Sequence, residues 1–159
     1  MEKDLSGRIV VNKLTERLKL YTKQGKPLSF RTPKGGKAYY AECNTNATND
    51  DERIIGGDTP KGKYKIGEIT EYPKGDLRFG FYYIDLIDYL GYWNLKDKRS
   101  TIGIHGGGSA LGAAAFMDFQ NIHAILTYGC CRLYNSNLKE LVNYVKEMQK
   151  TGTVYLTVA

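Results

Sequence analysis

Apolar and polar residues alternate along much of this chain, which is the pattern of half-buried β-strands. Residues 8–12 carry β-branched side chains and residues 14–21 alternate, with Leu18 and Leu20 on one face. Together they predict an antiparallel opening hairpin. The same patterns predict further strands over residues 28–31, 37–42, 79–90, 101–105, 122–126 and 153–158, and one that carries Tyr64 and Ile66.

One segment near the C-terminus has helical periodicity instead. Residues 135–137 (Asn-Ser-Asn) are good N-cap residues, and Glu140 follows Asn137 by three places, as in a capping box. Gly152 suits the C′ position, and the Ala-rich residues 110–119 suggest a second, short helix. The apolar positions recur at spacings of three and four: Leu138, Leu141, Val142, Val145 and Met148. The pattern predicts a mainly β fold with one long C-terminal helix.

Length and composition indicate one globular domain over residues 1–159, since no linker divides the 159 residues. Hydrophobic residues make up 42% and charged residues 25%, enough for a packed core and a solvated surface. The net charge of +6 favours an anionic partner such as a cell wall, a membrane surface or nucleic acid. The lysines are spread along the chain, however, so we do not expect nucleic acid to be the partner.

Targeting signals are not evident in the sequence. No apolar run reaches the ~20 residues of a membrane span, so no transmembrane segment is expected. Residues 1–7 contain no apolar signal core. The sequence leaves three alternatives: an internal protein, export by another route, or a signal already removed.

Residues 127–132 (Thr-Tyr-Gly-Cys-Cys-Arg) hold a candidate nucleophile, Cys130, between a glycine and a cation. A free thiol has a pKa of roughly 8.5, so it needs a base to become a reactive thiolate. His105 ends a predicted strand and opens into a glycine run, as site residues often do, which favours it as the base. His123 lies in an apolar run and is more typical of a core residue.

The residues around Cys130 have candidate roles too. The amides of Tyr128, Gly129 and Cys130 are candidate oxyanion donors, and the glycine admits close approach of a substrate. Arg132 is suited equally to gripping a carboxylate and to a plain surface ion pair. Taken by themselves, Cys130 and Cys131 are also compatible with two buried, inert thiols.

Neither a metal nor a nucleotide cofactor is expected. The cysteines and histidines lack the C-x-x-C spacing of a zinc site. The glycines at 106–108 lack the lysine of a phosphate-binding loop. The chain has three cysteines, so at least one thiol stays unpaired.

These motifs resemble the L,D-transpeptidase catalytic domain family, whose members remodel bacterial peptidoglycan with a cysteine nucleophile. The family's Ile-His-Gly is matched by residues 104–106, and its Ser/Thr-His-Gly-Cys turn with a following arginine by residues 127–132. Its Thr-Pro-x-Gly segment resembles residues 58–66, and its closing helix and strand resemble residues 133–158. The resemblance covers about residues 8–158.

The resemblance implies a β-sandwich-like domain with a cleft over a mixed sheet, and no cofactor. It makes Cys130 the nucleophile and His105 the base, with a backbone carbonyl near Gly106 orienting the ring. Thr127, Gly106 and Arg132 would contact the substrate, a peptidoglycan stem peptide in the cell envelope or periplasm. The thiolate would attack the carbonyl between the third and fourth stem residues, D-alanine would leave, and an amine acceptor would give a 3-3 cross-link.

The sequence departs from the family pattern in three places. Tyr128 stands where a second histidine is usual, and Cys131 occupies a hydrophobic position, where it packs or pairs with Cys43. The segment between His105 and the cysteine turn is longer than usual, which suggests an insert at residues 110–119. The alternatives are an L,D-carboxypeptidase or wall-degrading effector on the same scaffold, and a non-catalytic peptidoglycan-binding module.

Overall fold

The computed structural model describes residues 5–45, 61–87, 102–107 and 130–159. The predicted helix at 110–119 and the predicted strand at 122–126 lie outside these residues. The described strands are β1 Leu5–Asn12, β2 Arg17–Thr22, β3 Phe30–Arg31, β4 Lys37–Ala38, β5 Ala41–Asn44, β6 Gly62–Asp76, β7 Gly80–Ile87, β8 Gly103–His105, β9 Cys131–Leu133 and β10 Thr153–Val158; the described helix is α1 Asn135–Gln149.

The opening hairpin is confirmed. Strands β1 and β2 pair antiparallel with Ile9 opposite Leu20, so apolar side chains from both strands enter the core together. The predicted start of β2 is wrong, because Leu14 and its neighbours form the connecting turn. There the Asn12 side chain accepts hydrogen bonds from the amides of Leu14 and Thr15, and Leu14 is 93% exposed.

Eight of the described strands form one mixed sheet that closes on itself, in the order β1-β10-β6-β7-β8-β9-β5-β2. The pairs β1–β10 and β8–β9 are parallel, and the others are antiparallel. The mainly β, mixed-sheet class is therefore confirmed. The sandwich-like description is replaced by a closed barrel, because β1 pairs with β10 on one edge and with β2 on the other, which joins the two ends of the sheet.

Most predicted strands are present with changed ends. Strand β10 has the predicted bounds, and β8 ends on His105 as predicted. The strand predicted over residues 37–42 is divided by a bend at residues 39–40, where Tyr39 is exposed. Tyr64 and Ile66 share the buried face of β6, as predicted.

Helix α1 covers the core with the predicted apolar face, since Leu138, Leu141, Val142 and Val145 are buried. It begins at Asn135, one turn earlier than the capping-box pattern indicates, and Tyr134 at the N-cap position makes no side-chain cap. It ends at Gln149 with Lys150 as C-cap, so Gly152 lies beyond C′. No helix in the described segments has the length and apolar character of a membrane span.

The two capping-box residues have a different task in the structure. The Asn137 amide donates to the Arg31 carbonyl oxygen at 2.7 Å and to Glu140 at 2.9 Å. The Glu140 carboxylate in turn accepts from the Arg31 amide at 3.1 Å. The pair therefore fixes α1 to β3 instead of closing the start of the helix.

Candidate active site

Three neighbouring strands, β7, β8 and β9, carry the candidate site on one face. Their registers pair Tyr83 with His105 and His105 with Arg132. Alternate residues of a strand point to opposite faces, so the residues next to these three turn into the core. These core residues are Ile84, Ile104, Cys131 and Leu133. Cys130 has the same parity as Arg132, which places it on the face of His105.

Cys130 lies beside the hydroxyl of Tyr83. The parallel register pairs Ile104 with Cys131, so Gly103 lies beside Cys130, and a Cβ on Gly103 would be 2.6 Å from Tyr83 Oη. The Tyr83 hydroxyl is buried and has no hydrogen-bond partner among the described residues. Burial raises the pKa of Tyr83, and the neighbouring Cys130 raises it further. The hydroxyl therefore keeps its proton at neutral pH and can act as a donor.

The His105 ring is held in one orientation and one tautomer. Its Nδ1 lies 2.6 Å from the Gly106 carbonyl oxygen, which can only accept, so Nδ1 carries the proton and Nε2 is the unprotonated nitrogen. The ring packs between Phe79 and Tyr83, with centroid distances of 5.2 and 6.1 Å. Burial lowers the pKa of His105 to about 4, and the Arg132 charge acts in the same direction. The imidazole is therefore neutral at neutral pH and can accept a proton at Nε2.

Two glycines allow the loop after β8 to present that carbonyl. The Gly106 amide donates to the Phe79 carbonyl oxygen at 2.9 Å, and the Gly107 amide donates to Asn135 Oδ1 at 3.3 Å. A Cβ on Gly106 would collide with the Asn135 side chain, and Gly107 has φ +61°, in the left-handed region. The glycine run thus lets the loop pass closely between β7 and α1.

Arg132 is only 5% exposed, so it does not lie at the surface, as the alternative of a plain surface ion pair requires. Its strand lies between β8 and β5, with His105 and Asn44 as register partners. Burial lowers the pKa of the guanidinium, but from so high a value that it stays charged. The site therefore contains a buried positive charge beside its histidine. Its grip on a substrate carboxylate stays a prediction.

The other two cysteines differ from Cys130 in burial. All three are free thiols, so the predicted alternative of a Cys43–Cys131 disulfide is not formed. Cys43 and Cys131 are buried, and a hydrogen bond from Cys131, with burial second, raises the pKa of Cys43. Cys131 thus packs in the core, while Cys130 is the partly exposed thiol. Within the described ranges, no three metal-binding side chains cluster.

Three predicted site residues, Thr127, Tyr128 and Gly129, lie outside the described residues, as does His123, which was predicted to be a core residue. Their roles remain predictions. Conversely, sequence reasoning missed Tyr83 and Phe79, which contact the histidine. The alternation of β7 places Tyr83 opposite the core-facing Ile84, but only the pairing of β7 with β8 brings it to His105.

The family model of the L,D-transpeptidase catalytic domain, YkuD, matches residues 6–156. The chain belongs to the L,D-transpeptidase catalytic domain family. Curated protein sequences provide no match. The resemblance drawn from the histidine and cysteine motifs is confirmed.

Solved structures share the L,D-transpeptidase fold at low sequence identity. The helical cell shape determining protein Pgp2 from Campylobacter jejuni is 22% identical, with a TM-score of 0.66 over 99% of this chain and 49% of its own. Bd1075 from Bdellovibrio bacteriovorus is 16% identical, with a TM-score of 0.61 over 100% and 50%. L,D-transpeptidase 3 from Mycobacterium tuberculosis is 10% identical, with a TM-score of 0.57 over 96% and 60%. The chain thus spans about half the length of the first two proteins.

The lowered pKa of His105 gives a prediction for stability. The unfolded histidine titrates near 6.5 and the folded one at about 4, so the unfolded chain binds the extra proton first. The neutral His105 therefore contributes to the free energy of unfolding above pH 6.5. That contribution is lost as the pH falls to about 4, and the free energy of unfolding decreases by on the order of 3 kcal/mol. Urea unfolding at pH 7 and pH 4 measures it. The His105→Gln variant should lose less stability than the wild type over this interval; equal losses would refute the assignment.

Proposed function

We propose that this chain is an L,D-transpeptidase that acts on peptidoglycan tetrapeptide stems through a thioester on Cys130. Family membership supports the chemistry. The observation that carries the proposal is the common face of Cys130, His105, Tyr83 and Arg132, with an unprotonated Nε2 on a neutral imidazole. No cofactor enters the reaction. The protein acts in the cell envelope or periplasm, where its substrate is.

The first step moves a proton from Cys130 Sγ to His105 Nε2. The thiolate is stabilised by the buried charge of Arg132 and by a hydrogen bond from the Tyr83 hydroxyl. The same arginine opposes a positive charge on His105, as its effect on the histidine pKa indicates. The buried imidazolium is therefore stabilised mainly by the neighbouring thiolate, and it acts readily as a general acid.

The second step forms the acyl-enzyme. The thiolate attacks the carbonyl carbon between the third and fourth stem residues, on the L-centre of the diamino acid. The oxygen gains the negative charge, and the amides of residues 128–130 donate to it. As the C–N bond breaks, the amine of D-alanine takes the proton from His105. The stem is left as a thioester on Cys130.

The third step transfers the acyl group. An amine of another stem enters, His105 takes its proton, and the new amide forms as the C–S bond breaks. The product is a 3-3 cross-link, and the thiolate recovers its proton from His105. Arg132 holds a stem carboxylate during these steps, and the net charge of +6 suits an anionic wall.

Incubation with a disaccharide-tetrapeptide, followed by mass spectrometry, tests the proposal. A dimer that has lost one D-alanine is the expected product. A tripeptide monomer alone would make the protein an L,D-carboxypeptidase or wall-degrading effector instead. Unchanged tetrapeptide, with wall binding retained, would make it a binding module.

The Tyr83 hydroxyl gives a second test. Tyr83→Phe should lower the turnover number at least about tenfold, since it removes a donor to a charged group. It should not lower the melting temperature, because the hydroxyl is buried without a hydrogen-bond partner among the described residues. Steady-state D-alanine release measures the turnover number, and thermal unfolding measures the melting temperature. Full activity would exclude the hydroxyl from the reaction.

A further inference from the structure

A groove of ≈ 550 Å³ lies between the β6–β7 hairpin and the start of α1. Its lining does not include the residues of the catalytic face, which are Cys130, His105, Tyr83 and Arg132. We define the aromatic groove by Tyr72, Phe81, Tyr82, Ser136 and Lys139. Its volume is in the range of small-molecule sites.

The aromatic groove adjoins the catalytic face. Tyr82 precedes Tyr83 in β7, and successive residues of a strand point to opposite faces. Tyr83 therefore turns to Cys130, while Tyr82 turns to the opposite face and packs on the edge of the core. Phe81 has the parity of Tyr83, so the groove takes lining residues from both faces of β7. The two sites share one wall, because Phe79 stacks on Tyr72 at 6.1 Å and contacts the His105 ring at 5.2 Å.

The lining combines flat aromatic rings with mixed polar groups. Tyr72, Phe81 and Tyr82 are all partly exposed. Glu71 stands opposite Tyr82 in the sheet register and forms an ion pair with Lys146 of α1. Beside them the groove presents a hydroxyl from Ser136 and an ammonium from Lys139, so it offers donors and acceptors together.

We propose that the aromatic groove binds a saccharide. A pyranose ring has an apolar face of C–H bonds that packs on an aromatic ring, and a rim of hydroxyls that both donate and accept. With one carboxylate and one ammonium in its lining, the groove favours a neutral ligand over a strongly charged one. The β7 strand beneath is paired on both edges, so it offers no free edge for an added peptide strand.

Given the proposed function, on which this identification rests, the saccharide is an N-acetylated amino sugar of the peptidoglycan glycan strand. A stem peptide is covalently attached to that strand. A groove beside the catalytic face that binds the sugar would therefore hold the protein on its polymer while the catalytic face meets a stem.

Titration calorimetry with di-N-acetylchitobiose, a neutral amino-sugar disaccharide without a peptide, tests the proposal. The wild type should bind it, and Tyr72→Ala and Lys139→Ala should each weaken binding, Tyr72→Ala by at least about tenfold. Lys139 is exposed, so its variant keeps the proposal testable if Tyr72→Ala disturbs packing. The matched control is Tyr39→Ala, an exposed tyrosine that does not line the groove.

Three results would overturn the groove assignment: no binding by the wild type, equal weakening in Tyr39→Ala, or competition for the groove by a sugar-free stem tetrapeptide. The Cys130→Ala variant separates the two proposals, because it should bind chitobiose as the wild type does. A protein that binds chitobiose but leaves stems uncut retains a saccharide groove and loses the transpeptidase proposal. A protein that cuts stems without binding the sugar loses the groove alone.

Discussion

Replacing Cys130 by alanine is expected to abolish D-alanine release from tetrapeptide stems, with a loss of at least about 10⁴-fold, as for other covalent nucleophiles. The side chain is partly exposed and precedes β9, outside the apolar core. Its removal therefore creates no core cavity. The melting temperature should stay close to that of the wild type, so that the loss is one of chemistry and not of folding.

Cys131→Ala is the matched control for that variant. It makes the same change one residue later, at a side chain that is 3% exposed and belongs to the core. We expect its activity to be nearly unchanged and its stability to fall slightly, by about 1 kcal/mol for the lost buried sulfur. Retained turnover in Cys130→Ala, or a loss confined to Cys131→Ala, would reject Cys130 as the nucleophile.

Replacing His105 by alanine should reduce the turnover number by at least about 10²-fold, the scale for a lost general base. Nε2 is the nitrogen free to take the proton, since Nδ1 is bonded to the Gly106 carbonyl oxygen. His105→Gln is the control for packing, because it fills part of the ring's volume without a titratable nitrogen. Both variants should lose activity to a similar extent. If His105 mattered only for packing, the glutamine variant would keep a higher turnover number than the alanine variant.

The pH dependence of the wild type gives this prediction a second readout. Only the neutral imidazole accepts a proton, and the pKa of His105 in the resting protein is lowered to about 4. The kcat/KM of the wild type should therefore hold through mildly acidic pH and fall as the pH approaches 4. An acid limb near 6.5 would mean that the base is not this buried histidine.

Local pattern was enough to predict the elements whose residues repeat regularly. The hairpin of β1 and β2, the apolar face of α1 and the strand ending on His105 each depend on neighbours along the chain. The errors occur where tertiary contacts override a local signal. Asn137 and Glu140 form a capping-box pair by spacing, but both bind β3 at Arg31, a partner more than 100 residues away.

Cys130 and His105 were predicted as a candidate pair from their motifs, whereas their surroundings were not predicted. Tyr83 reaches Cys130 only through the β7–β8 and β8–β9 registers, and a single sequence does not specify which strands pair. The burial of Arg132 has the same origin, since β5 and β8 cover it from both sides. The closed sheet likewise follows from the parallel pairing of β1 with β10, the first and last strands.

The mass of the intact protein after exposure to a carbapenem tests the central claim, that Cys130 is the acylated nucleophile. The wild type and Cys131→Ala should each gain a single adduct, which fragmentation of the wild-type protein places on Cys130. Cys130→Ala should gain none. An adduct on Cys43 or Cys131, or undiminished acylation of Cys130→Ala, would contradict the account.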